Sequence, residues 1–202
     1  MDVAAGGEHT CAHTAAGAAY CWGSNKKGQL GTGAGALQLG IPVSRPALVR
    51  KVDDASGLAL GGDHSCARRA NGAVACWGGG SFGALGAGTT NDWTMRVPVK
   101  NMTNALALGG GEHFTCALTP GGVIRCWGDN ESGALGDAPR TIHRAPIVGL
   151  RLADVTDLDG GVDHTCARTK DGLVHCWGSN GYGQLGEAAV LWATTPIAIK
   201  GI

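Results

Sequence analysis

Eight cysteines and seven histidines are the most reactive side chains in this 202-residue chain, and most of them recur at fixed spacing. The cysteines form four C-x9-C pairs: Cys11/Cys21, Cys66/Cys76, Cys116/Cys126 and Cys166/Cys176. Thiols so arranged either bind zinc or oxidise to disulfides. Structural zinc favours close C-x2-C knuckles, and a nine-residue gap does not resemble them. Near each first cysteine a histidine follows a carboxylate: Glu8-His9, Asp63-His64, Glu112-His113 and Asp163-His164. Both groups ligate metals, so four such pairs in a ring are a candidate metal site. The alternative, adopted here, is that each histidine bonds backbone within its own repeat while the acid is solvated; no metal and no cofactor are expected. In the third copy Phe114 stands between His113 and Thr115, an apparent insertion that suggests a bulge turning His113 aside. No nucleophile elbow, phosphate loop, zincin helix or paired carboxylate lies outside the repeat. No catalytic residue is therefore assigned, and the chain is expected not to be an enzyme.

The segments that carry these residues are repeats. Trp22, Trp77, Trp127 and Trp177 are spaced 55, 50 and 50 residues apart, a period that points to propeller blades or a solenoid. Short alternating runs bounded by glycine read as strands, and no segment holds a helical period for three turns. Between the paired cysteines lie Ala15-Ala16-Gly17, Ala70-Asn71-Gly72, Pro120-Gly121-Gly122 and Lys170-Asp171-Gly172. A glycine in the third place marks a three-residue hairpin loop, a type I turn closed by a left-handed residue. That loop sets Arg168 opposite Val174, Ala167 opposite His175 and Cys166 opposite Cys176. The cysteines then form a non-hydrogen-bonded pair, with Cα atoms about 4.5 Å apart, within reach of a disulfide. Of the 105 pairings that eight cysteines allow, the repeat selects 11–21, 66–76, 116–126 and 166–176. Disulfides imply an oxidising compartment. The expected location is extracellular, periplasmic or at the cell surface, although the segment after Met1 lacks a signal-peptide pattern.

Taken together, "GGEHTCA" and "CWGSNKKGQLG" in the first unit, with their counterparts in the other three, resemble the repeat of the regulator of chromosome condensation family. Gln29-Leu30 and Gln184-Leu185 keep that family's Gln-Leu. The middle units read Ala84-Leu85 and Ala134-Leu135, and Gly80 replaces the usual Asn. The resemblance implies a β-propeller, usually of seven blades; paired cysteines mark its bacterial look-alikes. It also implies two candidate activities beside passive binding: guanine-nucleotide exchange on a small GTPase, and enzyme inhibition resembling that of a β-lactamase-inhibiting propeller. The expected architecture is all-β: a single propeller domain over 1–202, with four repeats of antiparallel strands (about 1–51, 52–104, 105–153 and 154–202). Within each repeat, Trp fills the space between blades, the Gly-x-Leu-Gly turn buries its Leu, and Asn25, Asn130 and Asn180 bond the backbone of that turn.

Charge and variation bound the function. Sixteen basic residues balance sixteen acidic ones, which argues against a broad nucleic-acid or polybasic membrane surface. Individuality lies in the segments after each Gly-x-Leu-Gly: 32–46, 87–98, 137–146 and 187–196, each ending at a proline. They are expected on one face of the propeller, where binding residues gather. Trp93, Met95, Arg96, Arg140, His143, Arg144 and Trp192 stand out there as anchors for a protein partner, the tryptophans having core packing as their alternative role. The expected function is a non-catalytic protein-binding scaffold. The ends of the chain match the internal join from Ala145. This suggests that residues 197–202 pair beside 3–9 to close a blade, either in one chain or in a homodimeric eight-bladed ring; an open four-blade arc, as a fragment of a longer parent, is the third outcome.

Overall fold

The computed structural model describes residues 2–33, 39–188 and 190–199. Its strands are β1 (Asp2–Ala5), β2 (His9–His13), β3 (Ala19–Gly23), β4 (Val43–Leu48), β5 (Ala55–Leu60), β6 (His64–Arg69), β7 (Val74–Gly78), β8 (Trp93–Pro98), β9 (Ala107–Gly110), β10 (Phe114–Thr119), β11 (Val123–Asp129), β12 (Ile142–Arg151), β13 (Val155–Gly160), β14 (His164–Thr169), β15 (Val174–Ser179) and β16 (Trp192–Ala198). Each successive group of four makes one antiparallel sheet in sequence order. The chain is thus an all-β propeller of four blades.

The central hairpins have the register that their spacing dictates. Cys11 faces Cys21, Cys66 faces Cys76, Cys116 faces Cys126 and Cys166 faces Cys176. Their Cα atoms are 4.0–4.1 Å apart and all four disulfides are closed. Gly17, Gly72 and Gly172 supply the left-handed turn residue, with φ of 88°, 80° and 90°, a region closed to most side chains. The glycine behind each tryptophan has a different task. At Gly23 (φ 103°) a Cβ would stand 2.6 Å from the Glu8 carbonyl oxygen, so only glycine lets the strands approach.

The outermost strand of every blade is bulged. Cys21 pairs with Ala47 but Gly23 with Val43, so residues 44–46 oppose Trp22 alone. Pro46, Pro146 and Pro196 all sit in this bulge, where no ladder N–H is required. In the second blade the place belongs to Arg96, and Pro98 comes two residues later.

The core lies between blades rather than within them. Three hydrophobic clusters each straddle one joint. The first joins Cys11, Cys21 and Leu30 to Leu58, Ala67 and Trp77. The second joins Cys66, Cys76 and Leu85 to Ala117 and Trp127. The third joins Cys116, Cys126 and Leu135 to Leu158, Ala167 and Trp177. Trp77, Trp127 and Trp177 are fully buried, as the sequence leads one to expect, and so are Leu30, Leu135 and Leu185. Each indole N–H donates across its joint at 2.8 Å: Trp77 to the Gln29 carbonyl, Trp127 to Ala84 and Trp177 to Ala134. Asn25, Asn130 and Asn180 accept the N–H of Leu30, Leu135 and Leu185, which fixes the turn.

Inner strands pack in succession, β1 on β5, β5 on β9 and β9 on β13. Every strand pairing among the described residues lies within one blade, including β1 with β2 and β16 with β15. The terminal pairing expected from the sequence is not among them, and residues 200–202 lie outside the described residues. In the internal join that served as its template, β12 and β13 belong to different sheets.

Candidate binding surface

Two of the repeated histidines, His9 and His64, are parts of the joints. His9 Nε2 is 2.8 Å from the Ser65 hydroxyl, and His64 Nε2 is 2.8 Å from the Thr115 hydroxyl, each on the next blade. This corrects the expectation of backbone bonds within one repeat. Ser65 gives its only proton to the Gln29 carbonyl at 2.9 Å. His9 must therefore donate from Nε2, which leaves its buried Nδ1 lone pair without a partner. Burial pushes the pKa of His9 down to about 4. Burial, with the nearby positive ends of His9 and His113, pushes that of His64 down to about 3. Both are neutral at physiological pH. The acids are not all free in solvent: Asp63 accepts a hydrogen bond from Gln29 at 3.0 Å, and Glu8 pairs with Lys26.

The third blade departs from the sequence reading. Phe114 is not an insertion. It pairs with Gly128 as His9 pairs with Gly23, so phenylalanine occupies the histidine position. His113 takes the place of the preceding acid, and its ring lies 5.0 Å from that of Phe82. Among the described residues no group of three His, Cys, Asp or Glu is placed to hold a metal ion. The axial groove, about 340 Å³, is lined mostly by glycines such as Gly6, Gly61, Gly111 and Gly161, and offers little side-chain chemistry.

The variable residues lie along one rim. Trp93 and His143 occupy the same register position, opposite Gly78 and Gly128, and Trp192 stands one place earlier, opposite Ser179. Trp93 is 41% exposed, Met95 39% and Trp192 51%. Several of these positions make further contacts. Met95 also reaches back to Gly33 of the preceding blade. The buried Nε of Arg96 has no partner among the described residues. Arg140, with φ 62°, lies 3.9 Å from Glu131, both side chains being well exposed. His143 is held by Thr141 at 3.1 Å and Asp137 at 3.2 Å, and Asn130 clamps the same Asp137 at 2.7 Å, so this histidine braces its own loop. Arg144 sits at a joint: its carbonyl accepts the Gly88 N–H at 2.7 Å, and its backbone closes over Gly83. Residues 34–38 of the first variable segment and residue 189 of the last lie outside the described residues.

Two further rim residues, Phe82 and Tyr182, lie outside those segments, and a third, Leu191, lies within the last of them. Phe82 and Tyr182 occupy one position inside the repeat turn, and Leu191 precedes Trp192; all three are exposed. The signal was a bulky aromatic at a turn position filled by Lys27 and Ser132 in the other blades.

Comparison with known proteins agrees with this architecture. The model of the regulator of chromosome condensation (RCC1) repeat matches residues 2–29, 56–84, 107–134 and 155–184, and a second model of that repeat matches 16–68. Over 97 residues the chain is 35% identical to the probable E3 ubiquitin-protein ligase HERC4 of Rattus norvegicus, which is 46% of this chain and 8% of that protein. The chain thus spans less than a tenth of that relative. Among solved structures, Prp20p from Saccharomyces cerevisiae, studied with its binding to Gsp1p and histones, superposes with TM-score 0.78 at 26% identity, over 97% of this chain and 49% of its own. Human WBSCR16 gives 0.83 at 22% identity, over 100% and 53%. With all four repeats matched by sequence and the blades matched in space, the chain belongs to the RCC1 repeat family.

Proposed function

We propose that this chain is a non-catalytic protein-binding scaffold whose contact surface is the rim carrying Phe82, Trp93, Met95, Tyr182, Leu191 and Trp192. One observation carries the reading. Trp77, Trp127 and Trp177 are buried at the joints, Trp22 is half-buried and the Gly-x-Leu-Gly leucines are buried, whereas the two extra tryptophans stand substantially exposed on outer strands two blades apart. Rigid aromatics on a stiff scaffold are the usual anchors of protein interfaces, with arginines at their margins; Arg140 is such a neighbour. Four closed disulfides support work in an oxidising, extracytoplasmic setting.

The test uses the oxidised protein as bait against extracytoplasmic proteins, followed by Trp93→Ala and Trp192→Ala. Each substitution is expected to weaken capture about tenfold with little change in melting temperature. Sharply lowered melting with unchanged capture would show that these are packing residues. Exchange on a small GTPase is the second reading, favoured by the 26% identity to Prp20p. Release of a fluorescent guanine nucleotide from such a GTPase, accelerated by this protein, would put that reading first.

A further inference from the structure

The three joints between blades are built from the same parts, with one exception to which acid is sensitive. Joint 1 sets blade 1 (β1–β4) against blade 2 (β5–β8), joint 2 sets blade 2 against blade 3 (β9–β12), and joint 3 sets blade 3 against blade 4 (β13–β16). At each joint the following blade brings an indole and a hydroxyl to a single carbonyl. Trp77 and Ser65 converge on Gln29, Trp127 and Thr115 on Ala84, and Trp177 and Thr165 on Ala134. The preceding blade adds one buried ring. It is His9 at joint 1 and His64 at joint 2, each 2.8 Å from the hydroxyl of the next blade. At joint 3 it is Phe114, which has no polar atom to offer.

In joints 1 and 2 the hydroxyl already gives its proton to the carbonyl, so each imidazole donates from Nε2 and keeps its lone pair on Nδ1, where any added proton must go. His9 Nδ1 is buried without an acceptor among the described residues. That edge of the ring lies against Gly6, and the same edge of His64 lies against Gly61. The acids nearest in sequence are engaged elsewhere: Glu8 pairs with Lys26, Asp63 is held by Gln29, and Glu112 lies along Gly62. His64 is faced by His9 and by His113 of blade 3, both of which oppose its charge. Of the surrounding strands, β5, β7, β9 and β10 carry no charged side chain, β1 carries only Asp2, opposite His13, and β3 carries Tyr20, opposite Ala12. Burial holds the pKa of His9 down to about 4 and that of His64 to about 3, against a backbone group of the next blade that favours each charged form. A proton on either ring therefore leaves a poorly solvated cation in the joint, and separation of the blades lets water reach it.

We propose that acidification opens joints 1 and 2 and spares joint 3, so that blades 3 and 4 stay together while blades 1 and 2 come loose. His164 holds the same register place in blade 4, beyond joint 3. An opened joint frees its imidazole to titrate near 6.5, so the opening constant of either joint rises about 30-fold from pH 7.5 to pH 5. Trp93 is on blade 2 and Trp192 on blade 4, with joint 2 between them, so acid parts the two anchors and releases a partner that bridges them. This last consequence rests on the rim reading; the opening itself does not.

Hydrogen exchange of the buried indole N–H groups, followed by NMR on the oxidised chain at pH 7.5 and pH 5, tests the proposal. Trp77, Trp127 and Trp177 each read one joint. After allowance for the intrinsic exchange rate at each pH, the opening constants at Trp77 and Trp127 should rise about 30-fold and that at Trp177 less than about threefold. No partner is present, so failure here is distinct from failure of the rim reading. His64→Phe should abolish the rise at Trp127 and leave the rise at Trp77. Phe114→His should confer the rise on Trp177; should that variant fail to fold, His64→Phe decides alone. An equal rise at all three indoles, no rise at Trp77 and Trp127, a rise at Trp127 that survives His64→Phe, or a folded Phe114→His protein with Trp177 still insensitive overturns the proposal.

Discussion

Lowering the pH from 8 to 5 should strip this protein of stability through two imidazoles. His9 and His64 are buried and neutral in the fold, their pKa values pushed down to about 4 and about 3. In the unfolded chain both return to about 6.5. The unfolded state therefore binds more protons below pH 6.5, so stability rises with pH, is complete above about 7.5, and is lost as pH falls toward the folded values. At pH 5 nearly every unfolded imidazole is protonated while the folded ones remain almost fully neutral, and the difference is about 2 kcal/mol for each, about 4 in all. That is a large part of an ordinary domain's margin. Glu8 and Asp171, whose pKa values lie below the ordinary carboxylate range through Lys26 and Thr169 respectively, titrate at lower pH, so staying at or above pH 5 isolates the histidines. The assay is urea unfolding without reductant at pH 8, 6.5 and 5. The control is His64→Phe, a side chain the fold already accepts at position 114. It loses the 2.8 Å bond to Thr115 and costs about 1 kcal/mol at pH 8, but it should remove about 2 kcal/mol of the loss between pH 8 and 5, leaving the part due to His9 and to His164, which burial also lowers. A wild type whose stability varies by less than about 1 kcal/mol over that range, or a His64→Phe protein with an undiminished slope, would refute the reasoning.

Intact mass without reductant should fall eight hydrogens below the fully reduced value, because all four cysteine pairs are closed, and a maleimide should find no thiol. Each disulfide spans a sequence separation of 10, and loss of any one by paired Cys→Ala substitution should cost about 2–3 kcal/mol in urea unfolding. Trp127→Phe removes the bond to the Ala84 carbonyl and should cost about 1–3 kcal/mol by leaving that buried acceptor short. Trp22→Phe should cost well under half as much, since its indole N–H has no partner among the described residues. Equal costs would show that the hydrogen bond is not what holds the joint.

What the sequence disclosed was what is local. The cysteine pairing followed from a three-residue loop and strand alternation, both written within twelve residues. The buried Leu185 and the bracing Asn180 followed from one turn. The partners of the histidines were hidden because Ser65 and Thr115 lie a whole repeat away, and a motif read one copy at a time cannot show contacts between copies. Phe114 misled because "GEHFT" keeps the letters of "GEHT". Counting back from Cys116, as strand pairing does, puts Phe114 rather than His113 at the inward position, since the disulfide fixes register more firmly than identity does. The matching of the two ends to the Ala145 join was real as sequence, but a join between β12 and β13 connects neighbouring blades and requires no pairing between them.

The same geometry explains why the rim can vary while the repeat cannot. In a linear array each unit touches only its neighbours, so stability is a sum of blade and joint contributions. Repeat positions such as Trp77 and Trp127 reach across a joint, and so do backbone groups whose side chain differs between blades. The Gln29 backbone carbonyl takes Trp77 and Ser65 from the next blade, while its side chain holds Asp63. A change there disturbs two blades at once. The rim positions split by the same criterion. Arg144 and Met95 each touch the preceding blade at Gly83 or Gly33, so their substitution carries a joint cost that confounds any binding measurement. Trp192 projects at the start of β16, with about half its surface in solvent, and changing it leaves the three joints untouched. A loss of partner affinity in Trp192→Ala is therefore the cleanest evidence that the rim is a contact surface, and the same loss in Arg144→Ala would prove nothing unless the melting temperature stayed fixed.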